Sequence, residues 1–512
     1  MKNERGSITL FVLISMLFFL IIATTAYVSA SSKLQGQNEE LAQIKASYEQ
    51  DLSEEALLQL YNKVTNTREW LAGSGTQENT YKIYTIEDLL VFSNRTNSGE
   101  DFTNKYVELM NDLDFKRDSS YAKADRTDFG DVNEDGTVQD LKTELTTGQG
   151  FIPIGKTTDL SFKGTFEGNN YTIKHLHIDR ETSFIGLFGN SYTVQNLTVK
   201  DGYVSGAGGT GGIVGVLRSG KMENCHNDNT TVILKNGNYY CIGGVLGQCS
   251  TGTNGISKCS NSGKIIANGL SSDYSNSSGC GGVVGKLGNN IFCSGLINTG
   301  SVESKGGIVG GVIGEAGRES TVNSCCNSGA IVGFSDHIGG ITGATGGTVE
   351  KCYNTGMITQ KSGKWIGGIV GTTHINANVN ILNCYNKGKI IEEENNGNGI
   401  GGIIGWIKNE GTTGEIKNNY NAGEIEITGT NVQNVGGVVG IYETTNFAID
   451  NNYYEINKCN ATLNGIATGL ELSNMQLQSF VDLLNAGQTD TPWTMDSTNI
   501  NNGYPILKWQ TQ

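Results

Sequence analysis

The chain has 512 residues, a formal net charge of −15, 72 glycines and only 3 prolines. That length exceeds what one ordinary core supports, and abundant glycine with almost no proline excludes collagen and proline-rich disorder. The acidic balance disfavours nucleic acid as a partner, which needs a basic footprint, and suits a self-repelling outer surface.

In chain order, Lys2 and Arg5 precede an uncharged run from Ser7 to Ser32, most apolar over "ITLFVLISMLFFLIIA". The run reaches the roughly 20 residues that span a bilayer, with the basic end inside and the remainder exported. Residues 1–31 therefore read as a transmembrane signal anchor. The competing reading is a signal peptide cleaved after "VSA", Val28 to Ala30. The start "NERGSITLF", with Gly6 directly before the apolar helix, resembles prepilin-like and tight-adherence (Tad-type) pilus proteins, which implies a pilus-associated subunit. Phe11 stands where type IV pilins carry glutamate. Residues 32–78 follow as a helical stalk. Its segment "NEELAQIKASYEQDLSEEALLQLYNKV" has apolar residues at three- and four-residue spacing and a capping signature at "SEEA".

From residue 79 the pattern changes to short strands. A helix is expected around "IEDLLVFSN", Ile86 to Asn94, and strands around it, giving an N-terminal cap over 79–200. An insertion at 116–149 interrupts the cap. It contains "DVNEDGTVQD", the first half of an EF-hand or dockerin-like loop. Asp131, Asn133 and Asp135 would offer side-chain oxygens, Thr137 a carbonyl, and Gln139 a water-mediated contact to calcium. Position twelve is Lys142 rather than a bidentate glutamate, so a structural calcium site and a solvated acidic turn both remain open. "GFIPIGKT", Gly150 to Thr157, matches the phosphate-loop pattern by letter. A turn and strand follow it where that mechanism needs a helix, so it reads as a turn in the cap and not as a nucleotide site.

A repeat with the signature GG-[IV]-x-G occupies 201–455. It begins at Gly211, Gly243, Gly281, Gly310, Gly339, Gly367, Gly401 and Gly436, in steps of 28 to 38 residues. Between copies lies an N-x-G element at Asn261, Asn298, Asn327, Asn354, Asn386 and Asn421, with N-D-N at Asn227. Short strands such as "GKII" and "GAIV" follow. That period, built of strands and turns, is too short for a propeller blade and lacks the helices of helical solenoids. It fits one coil of a parallel β-helix, stacked at about 4.8 Å per coil. The glycines read as structural, allowing positive φ and close approach of coils.

Two residues before each N-x-G asparagine stands a column: Cys225, Cys259, Leu296, Cys325, Cys352, Cys384, Asn419. Leucine replaces cysteine without other change, so the column reads as packed free thiols and not as ligands or disulfides. The histidines at 175, 177, 226, 337 and 374 are scattered, and Leu176 and Ile178 are expected to face inward between the first two. Few aspartates lie in the repeat, and no coil shows two acids at the about 5–10 Å of a glycosidase pair. Glu392, Glu393 and Glu394 read as a solvated loop.

The GG-[IV]-x-G copies with interleaved "NCYNxG" resemble the GLUG-motif proteins of bacterial surfaces. The stretch "IEDLLVFS…ELMNDLDF…FIPIG…FKGTFEGNNYTIKHLHI…IGLFG" is similar to the N-terminal cap of such repeats, and "PWTMDSTNINNGYPILKW" within 456–512 to the C-terminal cap. This resemblance implies a mainly β fold: a right-handed parallel β-helix with two caps, outside the membrane. The expectation is a non-enzymatic bacterial cell-surface protein, anchored by its N-terminal helix, that presents the β-helix for adhesion or binding of an extracellular protein or glycan. The alternatives are a β-helix enzyme acting on polysaccharide and a pilin-like subunit.

Overall fold

Alternating apolar residues, cut short by glycine and asparagine, make mostly short strands in the repeat that do not pair with their neighbours in sequence. Each pairs instead with its counterparts one repeat away. A computed structural model describes residues 71–117, 145, 148–235, 241–268, 278–443, 446–459 and 466–511. The anchor at 1–31, the stalk through residue 70 and Asp131, Asn133, Asp135, Thr137 and Gln139 lie outside the described residues. Residues 71–78, the last of the expected stalk, carry no helix. Among the described residues no helix is long and apolar enough to cross a membrane.

The described residues are mainly strand, with parallel pairing throughout the repeat. One nine-stranded sheet runs from His177–Asp179 through Tyr203–Gly206, Thr231–Leu234 and onward to Ile425–Ile427, each strand parallel to the next in sequence. A second sheet of eight strands begins at Thr210–Gly211 and ends at Gln433–Gly436. In it the first glycines of successive repeats align in register: Gly211 with Gly243, Gly243 with Gly281, and so on to Gly401 with Gly436. The third and largest sheet has 28 strands and carries both the end of the GG-[IV]-x-G motif and the N-x-G asparagines. The motif's branched residue points inward: Ile213, Val245, Val283, Val312, Ile341, Ile369, Ile403 and Val438 are all buried.

The expected N-terminal helix spans Ile86–Asn97 and is capped by Thr85, whose side chain accepts from the Asp88 amide while Asp88 accepts from the Thr85 amide. Its Phe92 sits in a cluster with Phe102, Phe162, Phe166 and Phe188, ring centroids 5.0 to 6.3 Å apart. The cap's strands are not separate from the repeat. Tyr81–Ile83, Tyr106–Leu109, Phe162–Glu167 and Phe188–Lys200 pair in parallel and lead into the largest sheet.

The C-terminal segment does two things. Thr468–Leu470 adds a last parallel strand on Tyr453–Glu455. The helix Gln478–Asn485 and the short antiparallel pair Trp493–Thr494 with Ile506–Leu507 then turn back along the side of the stack. There Phe480, Trp493, Tyr504 and Leu507 pack on Tyr385, Tyr420 and Tyr453. Trp509 donates from Nε1 to the Lys351 carbonyl at 2.9 Å, so the segment braces four successive turns.

Candidate functional site

The N-x-G asparagines stack into a ladder. Asn261 donates from Nδ2 to Asn298 Oδ1 at 2.8 Å, and the same bond recurs from Asn298 to Asn327, Asn327 to Asn354, Asn354 to Asn386 and Asn386 to Asn421 at 2.7 to 2.9 Å. The second Nδ2 hydrogen goes to the carbonyl of the motif's glycine, as from Asn327 to Gly329 at 2.9 Å, and Oδ1 also takes that glycine's N–H at 3.2 Å. These amides are buried and fully paired. The second glycine of each GG pair lies against them. A Cβ on Gly340 would come within 2.6 Å of Asn354 Cγ and 2.0 Å of the Gly368 carbonyl.

Close approach, and not positive φ, is thus what the GG pairs require, which corrects half of the sequence expectation. The left-handed corner sits elsewhere, one residue before the cysteine column. Asn196, Asn224, Lys258, Ser324, Lys351, Asn383, Asn418 and Asn451 have φ of 52 to 59° there, and Gly295 has 63°.

All eleven cysteines are free thiols and buried. In the column, Cys352 Sγ donates to the Glu350 carbonyl at 3.1 Å and accepts the Cys325 N–H at 3.4 Å. Asn419 takes over the accepting role at the far end, receiving the Cys384 N–H at 2.8 Å. Burial pushes up the thiols of Cys241 and Cys249 to about 11 and of Cys280 to about 12, so these three are not thiolate nucleophiles at neutral pH.

The phosphate-loop look-alike is a turn, as expected. Gly150 takes φ 65°, Phe151 and Ile154 are buried in the core, and the strand Phe162–Glu167 follows. Leu176 and Ile178 face inward, and His177 lies over the Tyr203 ring at 5.3 Å. His175 bonds Asp114 at 2.7 Å. His374 and Glu315 meet at 3.4 Å and Lys286 reaches Glu315 at 3.0 Å, a cluster that sequence spacing did not bring together. Burial lowers the His374 pKa to about 4, against the opposing pull of Glu315. Among the described residues no group of three or more His, Cys, Asp or Glu side chains could hold a metal ion.

Glu392 is the second correction. It was expected in a solvated loop, yet it ends the strand Ile390–Glu392 and is fully buried. Alternation is the signal: Ile390 faces inward, so the residue two on does as well. Burial, reinforced by Glu394 and Glu393, raises its pKa to about 8. Its Oε2 has no hydrogen-bond partner among the described residues, and the same holds for Oε1 of Gln360, its register neighbour one turn earlier.

Where the C-terminal segment turns back along the stack, it leaves a cleft of about 350 Å³. Lys387, Lys458, Glu455 and Tyr504 are among its walls.

No family model matches this sequence. Over 181 residues the chain is 30% identical to halomucin of Haloquadratum walsbyi, a stretch covering 34% of this chain and 2% of that protein. The chain thus spans a small fraction of halomucin's length. A crystal structure from Bacteroides ovatus, provisionally assigned as an immunoglobulin A1 protease, aligns over 87% of this chain and 97% of its own, at 14% identity and a TM-score of 0.39. That likeness is too low to carry an argument about fold or activity.

Proposed function

We propose that this protein is a non-enzymatic bacterial cell-surface protein, in which a right-handed parallel β-helix of GLUG-type repeats is held outward by an N-terminal membrane helix for adhesion or ligand binding. The observation that carries the reading is how the repeat uses its polar residues. Its asparagines bond one another, its thiols bond backbone, and its paired glycines make room for both. Such residues build a wall and leave recognition to the surface between turns. The similarity to halomucin supports a place at the cell surface.

Calcium bound by Asp131, Asn133, Asp135, Thr137 and Gln139 would order the insertion on the N-terminal cap. Calcium titration of the whole exported region tests it, and an absence of both heat and stabilisation removes it. The surface reading is tested by deleting residues 80–512 in cells. Loss of attachment with the N-terminal segment still in the membrane fraction supports it, and unchanged attachment overturns it. Hydrolysis of a polysaccharide by the exported region would favour the enzyme reading, and a mature N-terminus at Ser7 the pilin-like one.

A further inference from the structure

The cleft under the C-terminal segment gathers Lys387, Lys389 and Lys458 in one lining. Elsewhere on the stack Lys200 is matched across turns with Asp228 and Lys361 with Glu393, and in the cleft Lys389 pairs with both Glu424 and Glu426. Within the cleft the acids are already engaged. Glu455 accepts from the Tyr504 hydroxyl at 2.5 Å, and Glu424 pairs with Lys389 at 3.3 Å. Asp496, behind Tyr504, spends its oxygens on the amides of Ile500, Asn501 and Gly503.

Two cations remain. Among the described residues neither Lys387 nor Lys458 has an ion-pair partner. Lys387 is half-buried, with its ammonium 5.7 Å from the centre of the Tyr504 ring, while Lys458 is exposed on the 3-10 turn Ile456–Lys458. Burial lowers the Lys387 pKa, against the opposing pull of Asp496 and with a smaller push from Lys458. A positive group held partly out of water beside another positive group is costly unless an anion joins them.

We propose that this cleft binds an acidic saccharide, its carboxylate seated between Lys387 and Lys458. The volume is at the small end of ligand sites and suits one or two sugar rings, and the lining joins a phenol ring to amide and ammonium donors. This deepens, and rests on, the surface-binding reading, because it names what the wall would bind.

The test uses the whole exported region and three probes: a galacturonic acid oligosaccharide, a neutral glucose oligosaccharide of the same length, and inorganic phosphate. The acidic oligosaccharide is expected to bind more weakly as salt rises, the neutral one not at all, and phosphate at least about tenfold more weakly than the acidic sugar. Lys387→Gln and Lys458→Gln should each weaken binding about tenfold or more, the size of a lost charge-assisted contact. Lys458 is exposed, so its variant keeps the test valid even where Lys387→Gln disturbs the C-terminal packing. Equal binding of neutral sugar, equal binding of phosphate, no binding of the acidic sugar, or unchanged affinity in Lys458→Gln would each overturn the proposal. Attachment assays with Lys458→Gln separate the two readings. Lost sugar binding with attachment intact keeps the cleft and shows that attachment runs through another surface.

Discussion

At the scale of single residues, the columns differ in what they tolerate. Asn327 makes two bonds through Nδ2 and accepts two through Oδ1, from Asn298 and from the Gly329 amide. Asn327→Ala would orphan all four partners inside the wall, and an unsatisfied buried group costs about 1–3 kcal/mol. A loss of about 3–5 kcal/mol in urea denaturation is expected, given that neighbouring asparagines can partly re-pair. Cys352→Leu should cost less than about 1.5 kcal/mol, because Leu296 already occupies that column and the change keeps an apolar filling. Glu392 gives the pH dependence. Its pKa rises from 4.5 to about 8 on folding, so the folded state holds the proton more tightly. That contribution is fully present below pH 4.5 and is lost as pH rises through 8, at about 1.4 kcal/mol for each pH unit crossed between the two values. Glu392→Gln should therefore match the parent in melting temperature near pH 4 to 5 and exceed it increasingly up to about pH 8, since the amide has no charge to bury. A constant difference across that range would show that Glu392 does not titrate there.

At the scale of elements, the C-terminal segment is the part the sequence concealed. The repeat was legible because a stack needs the same residue at the same place in each turn, and GG-[IV]-x-G and N-x-G announce that period directly. The bracing of the side wall depends on one further column, immediately after the cysteines. It holds His226, Ser260, Ile297 and Cys326 in earlier turns and Tyr353, Tyr385, Tyr420 and Tyr453 in the last four. Tyrosines there stack at 5.0 and 5.1 Å and face outward, where Trp493 and Phe480 cover them. The change from mixed residues to tyrosine was the available signal, but it has meaning only once the register is known. The acidic loop at Asp131 is a different case: its ligand pattern was readable as letters, and it lies outside the described residues. Trp493→Ala removes a buried indole whose Nε1 donates to Asn383 Oδ1 at 3.0 Å. Truncations of that kind cost about 3–5 kcal/mol. Because the segment touches only late turns, hydrogen exchange should quicken across 472–511 and stay unchanged in Thr231–Leu234 and Ile265–Ala267. Equal acceleration in both regions would mean that the wall and its brace unfold as one unit.

At the scale of the whole molecule, each turn meets chiefly the turns before and after it, with longer reaches such as Glu315 to His374 and the C-terminal brace, so stability should approximate a sum of turn and interface terms. This makes the number of turns adjustable but not their phase. Removing residues 311–339, one complete 29-residue step, joins Gly310 directly to Gly340. Asn298 then faces Asn354, Val302 faces Ile358, and Gly310 and its successors again continue into a GG pair. In these columns each new neighbour has a side chain like the one the old neighbour offered, and the C-terminal brace on Tyr353 to Tyr453 is untouched. The shortened protein is expected to keep its strand signal by circular dichroism and a cooperative melt, displaced by the loss of one interface. Removing only 311–324 takes out 14 residues, about half a step, and leaves the turn incomplete. Val322 and the strand around it vanish while Cys325 and Asn327 must still reach their places, so the three sheets after the cut fall out of step with those before it. That variant should lose the cooperative melt and expose its buried thiols to alkylation. If both deletions melt alike, stacking in register is not what holds these repeats together.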